Sequence, residues 1–114
     1  MAGFRETLRR LAIFDEGFVT AGSGLDLART RALDPKTAAL LQLGAAVAIG
    51  SSAVCLEWSA ARALATGATE DEIADVLLAI APVAGLGRAV SAAPGVAAAL
   101  EYDLETALGE PDDQ

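Results

Sequence analysis

The chain has 114 residues, 16 acidic and 8 basic side chains, a net charge of −8 and no histidine. A chain of this length forms one domain around one core. The missing histidine excludes Ser-His-Asp and Cys-His nucleophile pairs. The single Cys55 excludes an intramolecular disulfide or dithiol pair, and an acidic surface repels nucleic acid.

Ala, Leu, Arg and Glu dominate, and no run alternates β-branched residues, which predicts an all-α protein of five to six helices. Phe4 to about Ile13 reads as an amphipathic helix, with Phe4, Leu8, Leu11 and Ala12 on one stripe. Its Arg5, Arg9 and Arg10 are offset by Glu6, Asp15 and Glu16. Phe14, Phe18 and Val19 are read as its continuation beyond a kink near Asp15-Glu16-Gly17. Ala21-Gly22-Ser23-Gly24 is a loop, and Leu25–Ala32 is either a short helix or an ordered connector. Asp34-Pro35 opens the next helix, Asp as N-cap and Pro in the first turn, and that helix runs to about Ile49. Leu40, Gly44 and Ala48 stand four apart and admit close approach of a neighbouring helix. Ser51 or Ser52 caps a third helix through Cys55, Trp58, Arg62 and Leu64, which Gly67 stops. Thr69-Glu70-Asp71-Glu72 is a capping box for a helix facing inward with Ile73, Val76, Leu77 and Ile80. Pro82 marks its end or a kink. Gly85-Leu86-Gly87-Arg88 and Ala89–Ala93 follow, and Pro94 starts a last helix, Gly95 to about Leu108, ending at Gly109. The expected organisation is an N-terminal helical segment (1–32), a helical domain (33–108) and an acidic tail (109–114).

Hydrophobic residues make up 54% of the chain and charged residues 21%. A short, alanine-rich chain with this bias is expected to hide surface against copies of itself. Between Thr37 and Leu56 there is no charge, a span that would reach across a bilayer. Gln42, Gly44, Gly50, Ser51 and Ser52 interrupt it, so it reads as two helices, the first buried on all sides. No membrane partner is expected, no apolar signal-peptide core stands near the N-terminus, and the lone cysteine suits a reducing compartment, so the expected location is cytoplasmic.

At 100° per residue, Ser52, Cys55, Ser59 and Arg62 fall on one stripe of the third helix. Cys55 lies near the first turn, where unpaired N–H groups and the macrodipole favour a thiolate. It is either a reactive thiol in a polar notch or a small buried hydrophobe. Glu57 projects to the opposite side, either solvated or as a buried carboxylate held in its acid form. Trp58 lines a pocket or anchors a core or interface. Arg88 follows two glycines and is either an anion ligand or part of a structural ion pair. No metal-ligand cluster and no phosphate loop is present in the sequence, so no metal and no cofactor is expected.

The order Leu33-Asp34-Pro35-Lys36-Thr37, Gly50-Ser51-Ser52-Ala53-Val54-Cys55, Glu57-Trp58-Ser59, Ala63-Leu64-Ala65-Thr66-Gly67-Ala68-Thr69-Glu70-Asp71-Glu72-Ile73 and Pro82-Val83-Ala84-Gly85-Leu86-Gly87-Arg88 resembles the carboxymuconolactone decarboxylase family, which includes the alkylhydroperoxidase D-like proteins. The resemblance covers about Leu33 to Asp103. It implies an alkylhydroperoxidase D-like helical bundle built around a helical hairpin and assembling as trimers or hexamers. The family's peroxidase branch carries Cys-x-x-Cys-x-x-x-His, which falls here on Ser52, Cys55 and Ser59, so one of three residues survives. The decarboxylase branch uses a His and an acid near the same helix. The His is missing, and Ala38-Ala39-Leu40 stands where a Glu is frequent. The Arg that this branch tends to carry near its Gly-x-Gly region matches Arg88.

Three functional readings follow. The first is a family member with a degenerate site, acting as a structural or small-molecule-binding oligomer, with a small organic acid as its ligand. The second is a decarboxylase-type enzyme holding a lactone or keto acid with Arg88 or Arg62 and moving protons with Glu57 or Tyr102. The third is a single-cysteine peroxidase or redox sensor at Cys55. Across these readings the catalytic candidates are Cys55 and Glu57, and the substrate-binding candidates are Ser52, Trp58, Ser59, Arg62, Arg88 and Tyr102.

Overall fold

Three of the long helices in this chain start where a short polar side chain takes up a free N–H group, at Asp34, Ser52 and Thr69. The computed structural model describes residues 3–14, 30 and 32–109. Among them lie six helices and no strand: α1 (Phe4–Ala12), α2 (Pro35–Ala48), α3 (Ala53–Ala65), α4 (Glu70–Ala84), α5 (Leu86–Ala99) and α6 (Leu104–Gly109). The readings placed on Phe18, Val19, residues 21–29 and the tail beyond Gly109 lie outside the described residues. The chain forms two compact units, residues 1–32 and residues 33–114.

In the first unit, α1 follows Gly3 and carries Glu6 between Arg9 and Arg10, with which it pairs. None of its residues is buried, and Phe4, Leu8 and Leu11 are more than half exposed.

In the second unit, Asp34 accepts the Thr37 N–H at 2.7 Å and caps α2. Ser52 accepts the Cys55 N–H at 3.3 Å and caps α3. Thr69 and Glu72 form the reciprocal box at the start of α4, at 3.0 and 2.9 Å. Glu72 also takes the Lys36 ammonium at 3.1 Å. The Thr69 backbone N–H first, and Lys36 second, hold the Glu72 carboxyl below its ordinary value.

The helices form a four-cornered bundle whose closely packed sides are α2–α3, α3–α5, α5–α4 and α4–α2. The α3–α4 connection therefore crosses a diagonal. The contacts Lys36–Glu72 and Gly44–Ile80 advance together along α2 and α4, so these two run parallel. Gly50, just before α3, meets Arg88, and Ala53 and Leu56 meet Gly95, so α3 and α5 also run parallel. One end of the bundle thus holds the start of α3 and of α5. The other holds the start of α4 and the end of α5.

The core is Leu43 and Val47 from α2, Leu56, Ala60 and Ala63 from α3, Ile73 from α4, and Ala92 and Val96 from α5. Small residues bring the axes together. A Cβ on Gly95 would stand 3.0 Å from the Ala53 carbonyl oxygen, and one on Gly44 would stand 3.1 Å from Ile80 Cδ1. The second contact is the close approach expected of the α2 spacing.

Three expectations need correction. First, α2 is not buried on all sides: Leu41 is 58% exposed and Ala45 is exposed too. Second, of the two readings of Pro82, an end or a kink, the end does not hold, since α4 continues to Ala84 and Gly85 closes it with a φ of 102°. Third, Pro94 does not start a helix, because α5 runs through it from Leu86 to Ala99. The last long helix splits instead at Leu100–Asp103, where Glu101 adopts φ 57°, and α6 follows. A proline leaves the carbonyl four residues earlier without its helical partner. Here those residues are Leu78 and Val90, 71% and 62% exposed, so water can take the helical donor's place.

Candidate functional site

The stripe expected on α3 exists. Ser52 and Cys55 are exposed, and Ser59 and Arg62 are half-buried. Cys55 is the third residue of α3, its N–H held by the Ser52 hydroxyl. The cysteine is a free, exposed thiol and not a buried hydrophobe.

Arg62 lies over the Trp58 ring, 5.5 Å from its centroid. These residues are one turn apart, so the indole face and the cation meet without any neighbouring helix. Trp58 is 56% exposed, so it forms an outer wall of the stripe and not a core anchor. Glu57 is exposed on the far side, and of its two readings the solvated one describes it.

Arg88 reaches the same end of the bundle from α5. Its guanidinium lies against Gly50, where a Cβ would overlap it. Gly50 has φ 72°, the left-handed region that a side chain resists. The turn between α2 and α3 therefore requires glycine twice over, for its backbone and for the arginine above it. Ser52, Cys55 and Arg88 are gathered at the end of the bundle where α3 starts. Ser59 and Arg62 lie one and two turns further down α3. Arg88 is itself exposed.

Tyr102 is not part of this group. It follows α5 at the opposite end and lines an open cleft of about 410 Å³ between α4, α5 and α6. The floor is apolar, with Leu77, Val96 and Leu100, and the rim is acidic, with Glu70, Asp71 and Glu101. The length of α3, roughly 20 Å at 1.5 Å per residue, separates the two ends. Sequence reasoning missed this cleft. Its floor comes from an α5 that continues through Pro94, and its rim needs Glu101 in a left-handed turn without glycine. The only local signal was the cluster Glu70-Asp71-Glu72 at the head of α4.

Among the described residues no group of three or more Cys, Asp or Glu side chains is arranged to hold a metal ion. No helix among them is long and apolar enough to cross a membrane.

Against known families, the sequence model of the carboxymuconolactone decarboxylase family matches residues 6–99. The match begins well ahead of Leu33 and takes in α1 from Glu6 onward. The segment ahead of Leu33 lacks a spaced motif of its own, which is why the motifs alone did not reach it. No curated protein and no solved structure matches the chain.

Proposed function

Because the chain belongs to the carboxymuconolactone decarboxylase family, we propose that it is a member whose site has lost its acid–base and dithiol machinery and which works as a small-molecule-binding homo-oligomer. The observation that carries this reading is the stripe itself. Serines stand at positions 52 and 59, where the peroxidase pattern places its first thiol and its imidazole, while the stripe stays open to solvent beside Arg62. Cations without a proton relay suit binding of an organic acid better than its turnover. Arg88, at the head of α3, supports the same ligand class.

Self-association is supported by the surface. Val54, Leu78, Val83, Leu86 and Val90 are each more than 60% exposed. Exposed apolar area of that density on so small a chain is what a partner covers. A trimer or hexamer, as the family resemblance implies, is the assembly proposed. The location proposed is cytoplasmic.

A second reading has one observation in its favour: Cys55 is exposed at the head of α3, where a thiolate is stabilised in general. It would serve as a single-cysteine redox site reset by an external thiol. The enzyme reading, with Arg88 or Arg62 holding the acid and Glu57 or Tyr102 moving protons, finds less support: Glu57 and Arg88 are exposed and off the cleft, and Tyr102 lines the cleft at the end of the bundle away from Arg88.

Turnover decides among these. Purified protein is expected to give no lactone-acid decarboxylation and no hydroperoxide reduction above a no-protein control. Activity abolished by Cys55→Ala or by Arg88→Ala would overturn the binding role.

A further inference from the structure

Charge is divided unevenly along this chain. Arg5, Arg9, Arg10, Arg29 and Arg31 all precede Leu33, against Glu6, Asp15, Glu16 and Asp26. From Leu33 onward only Lys36, Arg62 and Arg88 are basic, and the remaining 12 of the 16 acids lie there. Two copies of so acidic a body repel each other unless a basic element mediates their contact.

The basic element is α1, and it is amphipathic. Phe4, Leu8 and Leu11 form one stripe, 71%, 59% and 52% exposed, and three arginines stand against one glutamate over Phe4–Ala12. Arg5 lies over the Phe4 ring, its guanidinium carbon 5.6 Å from the centroid. Cation and apolar contact area therefore share one edge of the helix.

The cleft at the α4–α5–α6 end has the complementary character. Its floor is Leu77, Val96 and Leu100, and its rim is Glu70, Asp71 and Glu101. An apolar stripe flanked by arginines matches an apolar floor flanked by carboxylates in both hydrophobicity and sign. The stripe from Phe4 to Leu11 is about 10 Å long at 1.5 Å per residue, a length that a cleft built across three helices can take.

We propose that α1 of one copy docks into the α4–α5–α6 cleft of a second copy, laying Phe4, Leu8 and Leu11 on Leu77, Val96 and Leu100 and setting its arginines against Glu70, Asp71 and Glu101. The contact is heterologous: each chain offers a helix to one neighbour and a cleft to another. Such contacts close into rings when the rotation allows. The inference rests on the homo-oligomer part of the proposed function and is independent of what the Cys55 stripe binds.

Mixing two variants tests it. Leu8→Glu spoils the helix stripe, and Ala74→Trp plugs the cleft; both positions are exposed, and far-UV circular dichroism checks that each variant keeps its fold. Mass is read by light scattering at micromolar concentration. Wild type is expected to assemble, and each variant alone to run as a smaller species. A 1:1 mixture is expected to form a 1:1 heterodimer and nothing larger, because the intact α1 of the Ala74→Trp chain enters the intact cleft of the Leu8→Glu chain while the remaining helix and cleft are both spoiled. Wild-type mass in either variant alone, or a mixture with no species heavier than either variant alone, would overturn the docking while leaving the oligomer reading in place. A wild type that runs as a single chain would overturn both.

Discussion

The two ends of the bundle differ in what holds them and in what they present. At the α3 end, the turn before the helix is set by Gly50, the cap is one serine hydroxyl at 3.3 Å, and the exposed groups are a thiol and a guanidinium. At the α4 end, the cap is a reciprocal box with bonds of 3.0 and 2.9 Å, reinforced by Lys36, and the exposed groups are carboxylates around an apolar cleft. The sparsely capped end is where the family pattern places its chemistry. The firmly capped end belongs to the Leu33–Thr37 and Ala63–Ile73 segments that carry the resemblance, but none of the pattern's thiol or imidazole positions falls on it. Conformational tolerance at a site and rigidity elsewhere is a common division within one fold. Here the difference in capping separates the proposed ligand stripe from the proposed docking surface.

Cap removal sharpens this contrast most. Thr69→Ala breaks one half of the box and is expected to lower stability by about 1–2 kcal/mol, toward the upper part of the N-cap range. Ser52→Ala removes one longer bond, and its expected loss is about 0.5–1 kcal/mol. Urea unfolding followed by Trp58 fluorescence measures both. Equal losses, or the reverse order, would break the distinction between the ends.

A smaller effect is expected from pH. The carboxyls of Glu72, Asp34 and Asp103 are all held below their ordinary values, chiefly by N–H and hydroxyl donors of Thr69, Thr37 and Thr106. These donors are in place only in the folded chain, so the unfolded chain binds the protons more readily. The stabilisation is therefore complete above the ordinary values, 4.5 for the glutamate and 3.8 for the aspartates, and is lost as pH falls through the lowered ones. Glu72→Gln keeps an acceptor for the Thr69 N–H but no longer titrates. It is expected to flatten the loss of stability below about pH 4.5. An unchanged acid slope would remove Glu72 from the account.

Much of this molecule was legible before any coordinates. Asp34-Pro35, Ser52, the Thr69 box and Gly67 each act through hydrogen bonds or φ values confined to a few residues, and such signals survive into the fold. The α3 stripe was legible for the same reason, since a helix fixes its own angular spacing. Pro94, and the helix-end reading of Pro82, misled because proline's penalty depends on where the freed carbonyl points, and exposure is a tertiary property. Arg88 could not be placed on Gly50 in advance. That contact spans 38 positions in the chain and depends on α3 and α5 closing at Gly95. The cleft was hidden more deeply still, because it requires the unmarked turn at Glu101.

The most direct test of the account is where a small organic acid perturbs the protein. In a titration of isotopically labelled protein with acetoacetate, followed by amide chemical shifts, the expected changes cluster at Ser52–Leu56, Ser59, Arg62 and Arg88, with none at Glu70, Asp71 or Tyr102. Shifts confined to the cleft around Tyr102, or none at millimolar ligand, would contradict it.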